Sequence, residues 1–340
     1  MKELAVIILN WNGQRLLRQF LPSVERWTAG KEVDLIVADN GSTDSSVSYM
    51  KENHPDIKVI ALDRNYGFAE GYNRAIRILN DSRVADGLPP YPFTLLLNSD
   101  VEVKEGWWQP LLRFMKMNPD VGAAQPKIKS WHDKESFEYA GAAGGYLDRL
   151  GYPYCRGRLF DAIEKDLGQY DDAPADICWA SGAALIVGTD LYLQLGGLDK
   201  DFFAHMEEID LCCRIHAAGF RVCAIPDSEV FHVGGASLNQ GNPQKTYLNF
   251  RNNLLLLHKN LPAKVGQRKL FFRRLADTLA FFMFLAKFDF PNAKAILKAH
   301  RDFRKMRGNY TNLPLTDTLS SLPGAKRNII IDRFLLRKRK

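Results

Sequence analysis

Four short runs, LAVIIL (4–9), DLIVAD (34–39), IKVIAL (57–62) and FTLLLN (93–98), are apolar and rich in β-branched residues, and helix-like stretches separate them. A strand that is apolar on both faces has to be covered on both faces, which happens in a parallel sheet with helices above and below. The alternation therefore predicts an α/β fold with a mostly parallel, doubly wound, Rossmann-like sheet. Ligands of such sheets bind beyond the carboxyl ends of the strands, so whatever follows each run is the first candidate for a site.

The remainder is less regular. Residues 141–175 are rich in Gly, Tyr and Asp and read as irregular hairpins or a mobile loop, and DICWASGAALIV (176–187) resumes as a strand. From Pro262 a helical pattern takes over, including LADTLAFFMFLAKFDF (275–290), which is too short and interrupted to span a bilayer. The expected division is a body over 1–260 and a basic amphipathic helical tail over 261–340. Charge follows that division: the tail has 19 basic and 5 acidic residues, net +14, and the body has 27 and 34, net −7. Such asymmetry suggests an anionic partner, membrane or nucleic acid. The apolar stretch at 4–9 is too short for a signal peptide, so a cytoplasmic start is expected. The five cysteines form no Cys-x-x-Cys pair, which points to reduced thiols rather than a disulfide framework or a zinc site.

Acids stand where the crevice should be. VADNGSTDSS (37–46) follows the second run and LLLNSDVEV (95–103) includes the end of the fourth. Asn, Gly, Ser and Asp are also turn formers and helix caps, so each stretch alone reads as a turn sooner than as a site. FFAHMEEIDLCCRIHAAGFRV (202–222) crowds Glu207, Glu208 and Asp210 beside His205 and Arg214. On a helix Asp210 and Arg214 pair at i,i+4, and the acids can be a solvated helix start at its positive dipole end.

Taken together, VIILNWNG, VADNGSTD, NYGFAEGYN, LLLNSD, SGAALIV…LGGLDKDFF, EEIDLCCR and FHVGGAS, in that order, resemble glycosyltransferase family 2 and in particular its rhamnosyltransferase-like members. The resemblance covers about Leu4 to Asn252. It implies a GT-A fold, to which the helical pattern after Pro262 adds a C-terminal extension, and inverting transfer of a sugar from a nucleotide-diphosphate donor, dTDP-rhamnose or a UDP-sugar. It also implies a divalent cation, Mn2+ or Mg2+, and a hydroxyl of a glycan or lipid-linked glycan as acceptor.

Carried onto this sequence, the resemblance assigns donor binding to Asn10, Asp39, Arg64, Asn65, Gly67, Asn73 and Asn98, and to the Arg251–Asn252 pair near the diphosphate. Asn98-Ser99-Asp100 matches the Asp-x-Asp motif, with Asp100 as metal ligand and a neutral amide where the family has a first carboxylate. His232 completes the metal site, and imidazole suits Mn2+ better than Mg2+. Glu208 matches the general base, although it is one methylene longer than the family's usual Asp, which leaves Glu207 as the alternative. Trp179, Ser181 and Gly182 fall in the acceptor region, where Trp179 can equally be core. The tail would then dock on the anionic inner face of the cell membrane, or else pack as a helical pair against the body with a solvated basic face. Two other readings stay open: a catalytically silent nucleotide-sugar binder, and a nucleic-acid binder, which no recognised motif supports. A dinucleotide-binding Gly-x-Gly-x-x-Gly is absent after the first strand.

Overall fold

The computed structural model describes residues 2–234, 241–311 and 313–335. The end of FHVGGAS (Gly235, Ala236, Ser237) and the last five residues of the tail lie outside the described residues. The strands are β1 Leu4–Asn10, β2 Val33–Asp39, β3 Lys58–Ala61, β4 Phe93–Asn98, β5 Val101–Val103, β6 Val121–Ser130, β7 Gly145–Leu147, β8 Pro153–Cys155, β9 Arg158–Leu159, β10 Ala162–Ile163, β11 Ala175–Asp176, β12 Ala184–Gly188 and β13 Arg221–His232. The helices are α1 Gln14–Trp27, α2 Ser46–Asn53, α3 Gly67–Ala85, α4 Gln109–Met117, α5 Thr189–Gln194, α6 Glu207–Ala217, α7 Pro243–Lys259, α8 Ala263–Ala286 and α9 Phe290–Met306.

Among the described residues nine strands form the main sheet in the order β11-β13-β6-β12-β4-β1-β2-β3, with β5 paired to β13. β1, β2, β3, β4, β6 and β13 run in one direction, whereas β5, β11 and β12 oppose it. The reason for two buried faces is visible in β1. Leu4, Val6 and Ile8 pack with α1, α2 and α4, while Ala5 and Ile7 pack with α3 and α6 on the other side. Successive side chains of a strand point to opposite faces, so a run of consecutive apolar residues feeds two cores at once.

The 141–175 region contains a second, antiparallel sheet, β10-β9-β8-β7. The expected strand over 176–187 is interrupted: only 175–176 and 184–188 are strand. Between them the Trp179 ring lies flat against Gly145, where a Cβ would come within 2.2 Å of it. Ser181 leaves the ladder as well, its N–H donating to Gln125 Oε1 at 2.9 Å and its hydroxyl to the Ala140 carbonyl at 2.9 Å. All five cysteines are free and buried.

After Asn260 the chain folds back on the body. Leu270 of α8, Phe303 of α9 and Leu319 join the same apolar core as Leu254–Leu257 of α7. Phe303 is 1% exposed. Phe303→Ala should therefore cost about 3–5 kcal/mol of unfolding free energy in urea titration. A loss below about 1 kcal/mol would mean that α9 merely rests on the surface.

Candidate active site

The carboxyl ends of β1 and β2 are joined by polar side chains. Asn10 donates to Asp39 Oδ1 at 3.0 Å, and Asp39 Oδ2 accepts the Ser42 N–H at 2.9 Å. Both side chains are buried, and Asn10 Oδ1 has no partner. The neighbouring Asn40 holds the loop after β3: its amide donates to Asn65 Oδ1 and the Gly67 carbonyl, and its oxygen accepts the Tyr66 N–H. The two loops touch backbone to backbone at Gly41, whose φ of +69° and 2.4 Å clearance from Arg64 admit no side chain. Arg64 is exposed beside Tyr66, its guanidinium 4.9 Å from the ring centre.

Asn73, by contrast, has no capacity left for a nucleoside. Its oxygen accepts from Tyr192 Oη at 2.6 Å and the Leu198 N–H at 2.9 Å, and its amide donates to the Leu198 carbonyl at 2.7 Å. It ties α3 to the chain before α6.

Asp100 and His232 are far apart in sequence and are brought together by the β5–β13 pairing. His232 is the partner of Val101, and the Val233 N–H donates to the Asp100 carbonyl at 3.1 Å. Their side chains meet at 3.1 Å, His232 Nε2 to Asp100 Oδ1, with Asn98 Nδ2 3.4 Å from the same ring nitrogen. On the far side Glu138 Oε2 stands 3.6 Å from His232 Nδ1. Burial opposes a charge on His232, but the carboxylates of Asp100 and Glu138 outweigh it and lift its pKa to about 10. Burial likewise pushes Asp100 up, and the adjacent His232 charge pulls it below the ordinary carboxylate value. Among the described residues no group of three or more His, Cys, Asp and Glu side chains is arranged to hold a metal ion by itself.

The third part of the site is the start of α6. Phe203, His205 and Met206 all adopt left-handed conformations, with φ of 65°, 69° and 71°. Non-glycine residues pay for such backbone only where the surroundings impose it. Here Asn252 imposes it, its amide reaching the carbonyls of Phe202 (3.0 Å), Ala204 (2.9 Å) and His205 (2.7 Å). Arg251 adds bonds to the Asp201 and Phe202 carbonyls at 3.0 and 2.9 Å and to Asn252 Oδ1 at 2.9 Å. Both are buried, so this pair positions the turn.

The three acids of α6 have different surroundings. Asp210 is fully satisfied by Arg214 (2.9 Å), Lys259 (2.8 Å) and Asn260 (2.8 Å). Burial raises its pKa, but the two cations bring it below normal. Glu207 and Glu208 each leave one buried carboxyl oxygen without a partner. Burial pushes both upward, Glu208 to about 7, and Glu207 is raised further by the neighbouring charges of Glu208 and Asp210. A Cβ on Gly182 would lie 3.7 Å from Glu208 Cβ and 3.6 Å from the Phe68 ring, and one on Gly67 would meet the Phe203 ring at 3.2 Å. The loops at 65–68, 181–182 and 203–208 thus converge around Glu208. Trp179 does not reach this opening: it is buried and donates to the Tyr146 carbonyl at 2.9 Å.

The doubly wound sheet thus sets Asn10, Asp39 and Asn98 at its strand ends, and the loops at 65–68, 181–182 and 203–208 meet around Glu208. Residues 5–156 match the family model Glycosyl transferase family 2. An N-acetylglucosaminyl-diphospho-decaprenol L-rhamnosyltransferase of Mycobacterium tuberculosis is 28% identical over 237 residues, 67% of this chain and 75% of that protein. Among solved structures, S. aureus TarS in complex with UDP-GlcNAc superposes with a TM-score of 0.56 at 15% identity, covering 89% of this chain and 80% of that one. GalNAc-T7 with UDP, GalNAc and Mn2+ gives 0.54 at 15% identity, covering 76% of this chain but only 48% of that one. The fold is GT-A and the protein is a glycosyltransferase. Within that class the family match and the mycobacterial relative support family 2, rhamnosyltransferase-like, the family that the seven motifs resemble.

Sequence reasoning did not single out Asn40 or Glu138. Asn40 stood inside the quoted VADNGSTD, and its place directly after a strand-closing acid was a usable signal. Glu138 lies in an irregular stretch with no spacing that links it to His232.

A carboxylate raised by burial binds its proton more tightly in the folded than in the unfolded chain. Its stability contribution is present below the ordinary value of 4.5 and is lost as pH rises above it. Glu207→Gln should thus leave stability at pH 4 nearly unchanged and raise it by about 1 kcal/mol at pH 8, read from urea melts at both pH values. Equal stability of the two proteins at pH 8 would mean that Glu207 has a partner there.

Proposed function

We propose that this glycosyltransferase transfers a sugar, with inversion, from dTDP-rhamnose or a UDP-sugar to a hydroxyl of a glycan or lipid-linked glycan at the inner face of the membrane. The single observation that carries the reading is the pair of carboxyls at the start of α6, each with one buried oxygen that has no partner, held by a strained turn beside Gly182. Relatives act on or bind matching compounds: the mycobacterial protein is named for a lipid-linked acceptor and a rhamnosyl donor, and the TarS structure contains UDP-GlcNAc.

In this reading Asn10 and Asp39 receive the nucleoside, and the exposed Arg64 and Asn65 with Gly67 border it. Glu208 is the general base. The acceptor oxygen attacks the anomeric carbon as the bond to the diphosphate breaks; the hydroxyl proton passes to Glu208 and the bonding pair leaves with the nucleoside diphosphate. A pKa near 7 suits a base that works at neutral pH. Glu207, more deeply buried and raised further by Glu208 and Asp210, holds its proton more tightly than Glu208, and Asp210 anchors the helix. Arg251 and Asn252, whose groups are occupied by carbonyls, act by fixing the turn.

The donor set of Asp100 and His232 fits a hard divalent cation. A carboxylate and an imidazole meet at 3.1 Å, Glu138 stands behind the ring, and the described residues supply too few protein ligands for a closed cage. Mg2+ and Mn2+ are commonly bound by a few side chains together with substrate phosphates. When bound there, the cation would neutralise charge on the departing diphosphate.

Glu208→Gln should lower kcat by about 10²–10⁴ with little change in donor affinity. The wild-type rate should rise as pH passes about 7, because the base must be ionised. An active Glu208→Gln beside an inactive Glu207→Gln would move the base to Glu207. Asp100→Ala should abolish the Mn2+-dependent thermal stabilisation by nucleoside diphosphate, which for the wild type reaches about 2.7 kcal/mol at 100 times Kd. Undiminished stabilisation of that variant would remove Asp100 from the metal site.

A further inference from the structure

Helix α8 turns an apolar face outward and buries a charge pair on its other side. At about 100° per residue, Phe271, Phe272, Leu275, Leu279, Phe282 and Met283 share one face, and that face is open, each residue being 46–63% exposed. The opposite side carries the buried residues Gly266, Leu270, Arg273 and Asp277. Arg273 and Asp277, 2% and 1% exposed, pair at 3.1 Å, and Asp277 also meets His300 of α9 at 3.0 Å. The Arg273 guanidinium lies 3.7 Å from the centre of the Tyr152 ring. Rolling the apolar face inward would strip these buried charges of their partners, which is strongly unfavourable. The open stripe is therefore fixed by the fold.

An exposed stripe of this size marks a contact surface, and its charges select the occupant. Lys264 and Arg268 continue the same face toward the start of α8 and are exposed, and Asp277, the only acid of the helix, is buried. At the corner into α9, Phe288 is 80% exposed with a left-handed φ of 58°, next to the exposed Lys287. A second copy of the chain would set this net +14 tail against its like. No helix among the described residues is long and apolar enough to cross a membrane. We propose that α8 lies in the plane of an anionic lipid bilayer, its Phe/Leu face among the headgroups and upper acyl chains and its basic residues on lipid phosphates. The inference rests on the lipid-linked acceptor of the proposed function only for its purpose; the docking itself needs neither donor nor acceptor.

The test is sedimentation of the full chain with vesicles of phosphatidylcholine and of phosphatidylcholine containing increasing phosphatidylglycerol. Wild-type binding should rise with anionic content and fall with salt. The triple variant Leu275→Asp, Leu279→Asp, Phe282→Asp, whose side chains are open in the folded chain, should bind on the order of 100-fold more weakly. Lys264→Glu with Arg268→Glu should lose binding on anionic vesicles alone, and it carries the test if the triple variant does not melt cooperatively. Wild-type protein that stays in the supernatant at every composition overturns the proposal, as does unchanged partition of both variants. A wild-type dimer by light scattering that the triple variant converts to monomer, with vesicle partition unchanged, makes the stripe a self-association face instead. Because the assay contains no substrates, its failure leaves the transferase reading standing, and an inactive enzyme leaves the docking standing.

Discussion

Everything in this molecule depends on a sheet whose side chains alternate into two separate cores. Ile7 and Leu96 enter one core, Ile8 and Leu97 the other, and a polar side chain on either face is buried and has to be paired there, as Thr94 is with Thr189 and Gln125 with Ser181. Polar side chains therefore emerge at the strand ends. Asn10, Asp39 and Asn98 are the last residues of β1, β2 and β4, and the register that pairs Asn10 with Asp39 and Leu9 with Asn98 sets them side by side. The same constraint makes β5 turn away to β13, since the chain leaving β4 must find new hydrogen-bond partners. That turn carries Asp100 to His232.

A second constraint acts on α6. Three left-handed residues in four are costly, and they persist because buried Asn252 and Arg251 on α7 saturate the carbonyls of the turn. α7 is in turn held by α8 and α9, whose Leu270 and Phe303 share its core. The C-terminal helices thus hold α7, whose Arg251 and Asn252 fix the turn before Glu208. A clamp of backbone carbonyls by one amide is more exacting than a charge pair, because each bond requires its own direction and distance.

Much of this was legible in the sequence because it is local. The four apolar runs became β1 to β4, and the acids or amides that close them stand at the strand ends as expected. Long-range contacts were not legible. Nothing in the spacing of Asn73 reveals that Tyr192 and Leu198 take its amide, and Arg251–Asn252 reads equally as a phosphate-binding pair and as a clamp until the turn it holds is placed. The interrupted strand at 177–183 failed for a related reason: its residues have strand character, but Trp179 leaves the main sheet and makes a single antiparallel bridge with Gly145 of the second sheet. The composition of α8 disclosed an aromatic stripe and not which side faced outward, since that is decided by Arg273, Asp277 and His300 meeting across two helices.

The three acids of α6 show how one helix turn divides its work. Asp210 is surrounded by Arg214, Lys259 and Asn260, so its charge is a structural element that fastens α6 to the end of α7. Glu207 and Glu208, one and two residues from the strained Met206, were left without cations, and the fold tolerates two buried carboxyls with unmet oxygens. Replacing either by an apolar residue would relieve that cost, so their presence is not explained by stability. What an unmet, buried carboxyl offers is an acceptor already desolvated and already aimed, which binds a proton more readily than one in water. The cation of Arg214, spent on Asp210 and on the carbonyls of Leu195 and Gly197, is kept from neutralising them.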